Sequence, residues 1–140
     1  MKDYIIQTAA GAAGAVFSFL YGEVDAVFYV LVALMVIDFA SGLTNAALQK
    51  NMDSEVCFRG IARKVYILVL VAMGHLIDTA LGITVAMNVI MFFYIANESI
   101  SITENAGKMG LPVPQRILDI LEQLKSENDK GGEDDGNGLD

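Results

Sequence analysis

Apolar residues fall into four runs along the chain, separated by short polar stretches. Residues 5–21 form the first run, 26–47 the second, 65–81 the third and 83–97 the fourth. A bilayer crossing takes roughly 20 predominantly apolar residues, so the first three runs have the length of membrane helices. The fourth is short, and reaches a full crossing only if its helix continues into the headgroup region. No strict alternation of apolar and polar positions interrupts the runs, so the pattern predicts helices rather than strands. Gly82 is the turn residue between the last two runs and predicts a tight hairpin there.

The fourth run passes from "NVIMFFYIAN" (88–97) directly into "ESISITENAG" (98–107) with no turn signal between them. The expectation is one helix whose apolar half lies in the membrane and whose polar half continues into the cytoplasm. Glu104 and Lys108, four apart, would support its surface. Gly107 or Gly110 can supply a left-handed stop, and Pro112 prevents resumption. A further helix is expected from Pro114. Ile117, Ile120, Leu121 and Leu124 share one face, and Arg116, Asp119, Glu122 and Lys125 balance in charge. That balance favours docking onto a protein helix over anionic lipid.

Orientation follows from the flanks. The 48–64 connection carries Lys50, Arg59, Arg63 and Lys64, and the C-terminal region carries Lys108, Arg116, Lys125 and Lys130, whereas "GEVD" (22–25) has only acids. Basic flanks stay on the cytoplasmic side, which places the 48–64 connection, the C-terminus and Lys2 there. Four crossings satisfy all three placements; three would leave one basic region outside. Tyr4, Tyr21, Tyr29, Tyr66 and Tyr94 lie near run ends, where amphipathic rings suit the headgroup level. The N-terminal small residues "AAGAAGA" could serve a cleaved leader, but they lie inside the apolar run, an order that suits a retained helix. The fold class expected is an all-α membrane protein: about four transmembrane helices in two hairpins (residues 1–111), a cytoplasmic amphipathic helix (112–125) and a disordered acidic tail (126–140).

Composition agrees once charge is placed. Apolar residues make up 54% of the 140, yet the formal net charge is −8. The last fifteen residues hold six acids against one lysine, leaving eleven acids and eight bases in the first 125. Most of the acidity is therefore a solvated tail, and the balance argues against nucleic acid as a partner. Cys57 is the single cysteine, so no internal disulfide forms, and there is no Cys/His cluster for a metal. One histidine, no GxSxG, no P-loop and no HExxH leave no catalytic constellation, and no cofactor is implied.

Polar residues inside the runs are the candidate functional groups. In the first run Ala10, Gly14, Ser18 and Gly22 recur every fourth residue, a pattern that lets helix backbones approach within one chain or between copies. The second run carries Asp38, Gly42 and Asn45 on one face; the third carries Gly74, His75 and Asp78; the fourth carries Asn88. An ionised group at the bilayer centre costs at least about 2.5 kcal/mol, so these groups should face protein or water. Two readings stay open for Asp38 and Asp78. They are interhelical hydrogen-bonders, or they form a water-lined path or pH switch in which His75 stands near Asp38.

The stretches "IDFASGLTNAALQKNMDSEVCFRGIARKVY", "FFYIANESISITENAGKMGLPVP" and "LDILEQLK" closely resemble the toxin-secretion/phage-lysis holin family, over roughly residues 30 to 125. The resemblance rests on Asp38, Gly42, Ser54, Gly60 and Lys64, then on Asn97, Glu98, Ser101, Glu104, Asn105, Gly110, Pro112 and Pro114. It implies a non-enzymatic protein of the bacterial inner membrane that oligomerises with itself into timed lesions. An endolysin, or a toxin in some relatives, would pass through them as cargo. An antiholin is among the partners the family implies, although the next methionine after Met1 is Met35, so no close pair of starts is legible. A small channel or proton-coupled transporter using Asp38, His75 and Asp78 is the competing reading, against which no inverted repeat is found. A membrane scaffold anchoring a partner through the C-terminal helix is the third.

Overall fold

The computed structural model describes residues 1–120 and 123, which are mostly helical with no strand among them. Four helices follow in order: α1 (Lys2–Tyr21), α2 (Ala26–Leu48), α3 (Ser54–Leu81) and α4 (Ala86–Lys108). Residues 115–120 are also helical, with the Ile117 and Leu118 N–H groups on the Pro114 carbonyl. Leu121, Leu124 and the acidic tail lie outside the described residues. Two helices, α1 and α2, are long and apolar enough to cross a membrane by length and composition.

Each junction has a local cause. The Asp25 carboxylate accepts the Phe28 N–H at 3.0 Å and starts α2. Asp53 does the same for α3 through the Glu55 N–H at 3.1 Å. This cap moves the start of the third helix well upstream of the third apolar run. The expected 48–64 connection is therefore only residues 49–53, and Arg59, Arg63 and Lys64 belong to the first turns of α3. Gly82 adopts a left-handed φ of 66° and closes α3, as its place in the sequence implies. Residues 83–85 complete the turn, so the fourth helix starts three residues later than the apolar run and runs on to Lys108. There Gly110, at φ 79°, supplies the left-handed stop, with the Leu111 N–H on the Ala106 carbonyl. Among the described residues Glu104 and Lys108 do not form an ion pair.

The helices run up, down, up and down. Opposed pairs fix the register: Gly74 of α3 lies against Met87 of α4, and Lys64 against Glu98. Gly60 of α3 meets Phe39 of α2. α4 lies between α2 and α3 and packs on both, while α1 rests mainly on α3. The core is a single apolar knot of Phe28, Leu31 and Met35 from α2, Ile67 and Val71 from α3, and Met91 from α4. Gly74 permits the close α3–α4 approach, since a Cβ there would stand 2.8 Å from the Met87 Cα. Asn88 donates locally to the Thr84 carbonyl, and Asn45 accepts from Gln49.

α1 behaves differently. None of its residues is buried, and it is held at its C-terminal end. Tyr21 donates to the Leu68 carbonyl at 3.1 Å, and its ring meets Phe28 edge-on at 5.3 Å. Gly22, at φ 64°, lets the turn close over the His75 ring. Of the small-residue stripe, Gly22 packs against His75, while among the described residues Gly14 has nothing within 4 Å of a built Cβ. Tyr21 and Tyr94 are half-buried, while Tyr4, Tyr29 and Tyr66 are exposed.

Candidate functional site

Three helices meet around one ammonium. Lys64 of α3 donates to Asp38 Oδ2 of α2 at 2.5 Å and also to Glu98 Oε2 of α4. The three side chains keep only 18%, 13% and 7% of their surface, in the order Lys64, Asp38, Glu98. Neutral groups complete the shell. Asn105 Nδ2 donates to Ser41 Oγ at 2.9 Å and lies 3.5 Å from Asp38 Oδ1. Ser41 donates to its own helix at the Asp38 carbonyl, and Ser101 of α4 stands beside the Asp38 carboxylate. Gly42 leaves room for Asn105, whose Nδ2 would be 3.6 Å from a Cβ built there.

Chain geometry explains the convergence. Glu98, Ser101 and Asn105 recur at three- and four-residue steps, so they share one face of α4. That face is the one turned to Asp38 and Lys64, so "ESISITENAG" continues α4 without a break and packs alongside the second half of α2. Burying charge is costly, and it is offset here because each carboxylate meets the ammonium, and Asp38 also has the Asn105 amide at 3.5 Å. Among the described residues no buried side-chain polar atom lacks a partner. The trio still holds two carboxylates against one ammonium.

The triad sits in an open groove of about 890 Å³ between α2, α3 and α4, whose walls also carry Arg63, Asn97 and Lys108. A second groove of about 470 Å³ lies at the opposite end of the bundle, with Asp25, His75, Asp78, Thr84 and Asn88 in its walls. There Asp78 works as a cap. Its Oδ1 accepts the Val85 and Ala86 N–H groups at 3.1 and 2.8 Å, and its Oδ2 accepts the Met87 N–H at 3.0 Å. These are the orphan donors of the first turn of α4, and the carboxylate also meets the positive end of the helix dipole.

His75 therefore stands with Asp78 and Gly22, not with Asp38, because both acids are fixed to opposite ends of the bundle. Asp38, Glu98, Ser101 and Asn105 are brought together; Asn97 and Glu104 line the same groove; Gly110 ends α4 and Pro114 precedes the next helix. Lys64 is the member that hydropathy and flank charge do not single out as a partner for Asp38. Its signal is an acid deep in one apolar run facing a base at the edge of the next.

Two long apolar helices, α1 and α2, that leave most of their surface exposed fit a helical membrane protein. Comparison with known proteins narrows the class: residues 15–126 match the sequence profile of the bacteriophage holin family, and the chain belongs to that family. A protein of Halalkalibacterium halodurans is 43% identical over 134 residues, which cover 91% of this chain and 99% of the relative. One of Listeria monocytogenes is 42% identical over 123 residues, 87% of this chain and 86% of the relative. A probable holin of Bacillus phage phi105 is 34% identical over 119 residues, 84% and 87% respectively. No solved structure matches the chain.

Proposed function

We propose that this protein acts as a holin. It accumulates in the bacterial inner membrane, assembles with further copies, and opens lesions through which a muralytic endolysin, or a toxin, leaves the cytoplasm. The observation that carries this reading is family membership across residues 15–126, which span the end of α1 and all of α2 to α4. The geometry supports a multi-pass arrangement. α2 is apolar enough to cross, and at 23 residues it is roughly 34 Å long. α4 lies along it and α3 pairs with α4, so both share its depth even though their charges make them less apolar. Lys50, Arg59, Arg63 and Lys108 gather at one end of the bundle, and Glu23 and Asp25 at the other. That asymmetry supports a cytoplasmic placement of the basic end, with both termini on that side.

The test is inducible expression in bacteria with and without a co-expressed endolysin, recording turbidity and viability. The expected outcome is abrupt lysis at a reproducible delay only when both proteins are present, with viability falling in either case. A continuous slow decline, or no lysis with endolysin present and the protein in the membrane fraction, overturns the reading.

A further inference from the structure

The two polar grooves lie on the same faces of α3 and α4. On α3 the sequence of positions is Lys64, Ile67, Val71, Gly74, Asp78, and on α4 it is Asn88, Met91, Ile95, Glu98, Ser101. Steps of three and four residues keep each set on one side of its helix. Between the grooves stand Leu31 and Val71, both fully buried, and Met91 at 1% exposure. Met91 also forms the floor of the smaller groove. From Met91 to Glu98 along α4 is two turns, roughly 10 Å.

We infer that the bundle holds a gated path for water and small monovalent ions within a single subunit, with the two grooves as its vestibules and Leu31, Val71 and Met91 as a dewetted plug. The vestibules suit ions because polar side chains line each: Arg63, Asn97 and Lys108 beside the buried triad in one, and Asp25, His75 and Asn88 beside the capping Asp78 in the other. The plug presents only hydrocarbon and one thioether, and a hydrophobic constriction of this length excludes water and hence ions. Each acid is anchored, Asp38 on Lys64 and Asp78 on backbone N–H groups, so the vestibules hold their shape while the plug alone decides passage. This path concerns small solutes and one subunit, and it is separate from a lesion wide enough for an enzyme.

Purified protein in liposomes tests it through potassium flux and release of a large trapped dextran. Val71→Thr and Met91→Gln are expected to raise ion flux at least tenfold over the unsubstituted protein with the dextran retained. Val89→Thr and Phe92→Gln, on exposed positions of α4, should leave flux unchanged. Unchanged flux in inserted, helical plug variants overturns the path, as does equal leak from the exposed-position controls. Dextran escaping in step with the ions also overturns it, since the leak is then an assembled lesion. A second measurement stands even where a plug variant fails to insert. In a Cys57→Ser background, Ser101→Cys and Asn88→Cys should react with a hydrophilic thiol reagent from opposite sides of the membrane while the plug is intact. Lack of reaction at either position removes a vestibule and the proposal with it. Lysis in the endolysin assay is scored separately, so loss of the ion path leaves the holin reading standing.

Discussion

Lys64 of α3 reaches the Asp38 carboxylate of α2 at 2.5 Å across 26 residues of chain, while also pairing with Glu98 of α4. That contact joins two helices that otherwise touch only lightly, since α2 and α3 each pack chiefly on α4. One ammonium thus closes a triangle that the apolar core leaves open on one side. Its neighbours in the shell, Ser101 and Asn105, are positions on which the family resemblance rests.

A cytoplasmic location for the basic end predicts the behaviour of Cys57, which is half-buried in the first turn of α3. A membrane-impermeant thiol reagent should leave it unlabelled in intact cells and label it in inverted vesicles. Labelling in intact cells would reverse the orientation.

Helix number and order are legible in the sequence because short polar stretches set the apolar runs apart and Gly82 marks the turn between the last pair. Helix limits are less so, and for a specific reason. The starts of α3 and α4 are set by carboxylates: Asp53 draws polar residues into α3 that hydropathy assigns to a loop, whereas Asp78 of the preceding helix starts α4 three residues inside the apolar run. The triad was hidden by a related cause. Counting flank charge treats Lys64 like Arg59 and Arg63, although two of these point outward and Lys64 is drawn between Asp38 and Glu98. Which face of "ESISITENAG" is buried depends on α2, a partner that no local window contains.

Asp78 holds three backbone N–H groups of the α4 start. Asp78→Ala removes every acceptor and should cost about 1–2 kcal/mol, the scale of a lost N-cap. Asp78→Asn keeps one oxygen and should lose less. Hydrogen exchange at Val85, Ala86 and Met87 reads this directly: faster exchange confined to these amides is expected. Unchanged exchange in Asp78→Ala would remove the cap from the account.

Two glycines separate packing within a subunit from packing between copies. Gly74→Leu drives a side chain into Met87 and should destabilise the α3–α4 hairpin by about 1–3 kcal/mol, lowering Tm in detergent. A Cβ built on the exposed Gly14 meets nothing within 4 Å among the described residues, so Gly14→Leu should leave Tm unchanged. If the Ala10–Gly14–Ser18 stripe brings copies together, Gly14→Leu delays or abolishes lysis at equal abundance. Normal lysis timing in that variant would make the stripe mere composition.

The charge count of the triad predicts an asymmetry among its members. Lys64→Met leaves Asp38 and Glu98 facing each other with no counter-charge, and breaking a buried pair in this way typically costs about 3–5 kcal/mol. Low abundance in the membrane fraction and a lowered Tm are expected. Asp38→Asn acts in the opposite sense, because it leaves one ammonium with one carboxylate and keeps an acceptor for Ser101 and Asn105. Its abundance and Tm should match or exceed those of the unsubstituted protein, with lysis onset little changed or slightly late. Asp38→Leu is also balanced in charge but removes the second acceptor beside Asn105 and forces hydrocarbon into a polar shell, so accumulation should fall. Measuring onset together with membrane abundance separates loss of the subunit from loss of assembly. A long delay at full abundance would mean that Asp38 serves the assembled state, with its carboxylate tolerated once copies gather around water. Normal onset and normal abundance in both Lys64→Met and Asp38→Leu would show that the triangle neither holds the subunit nor times its action.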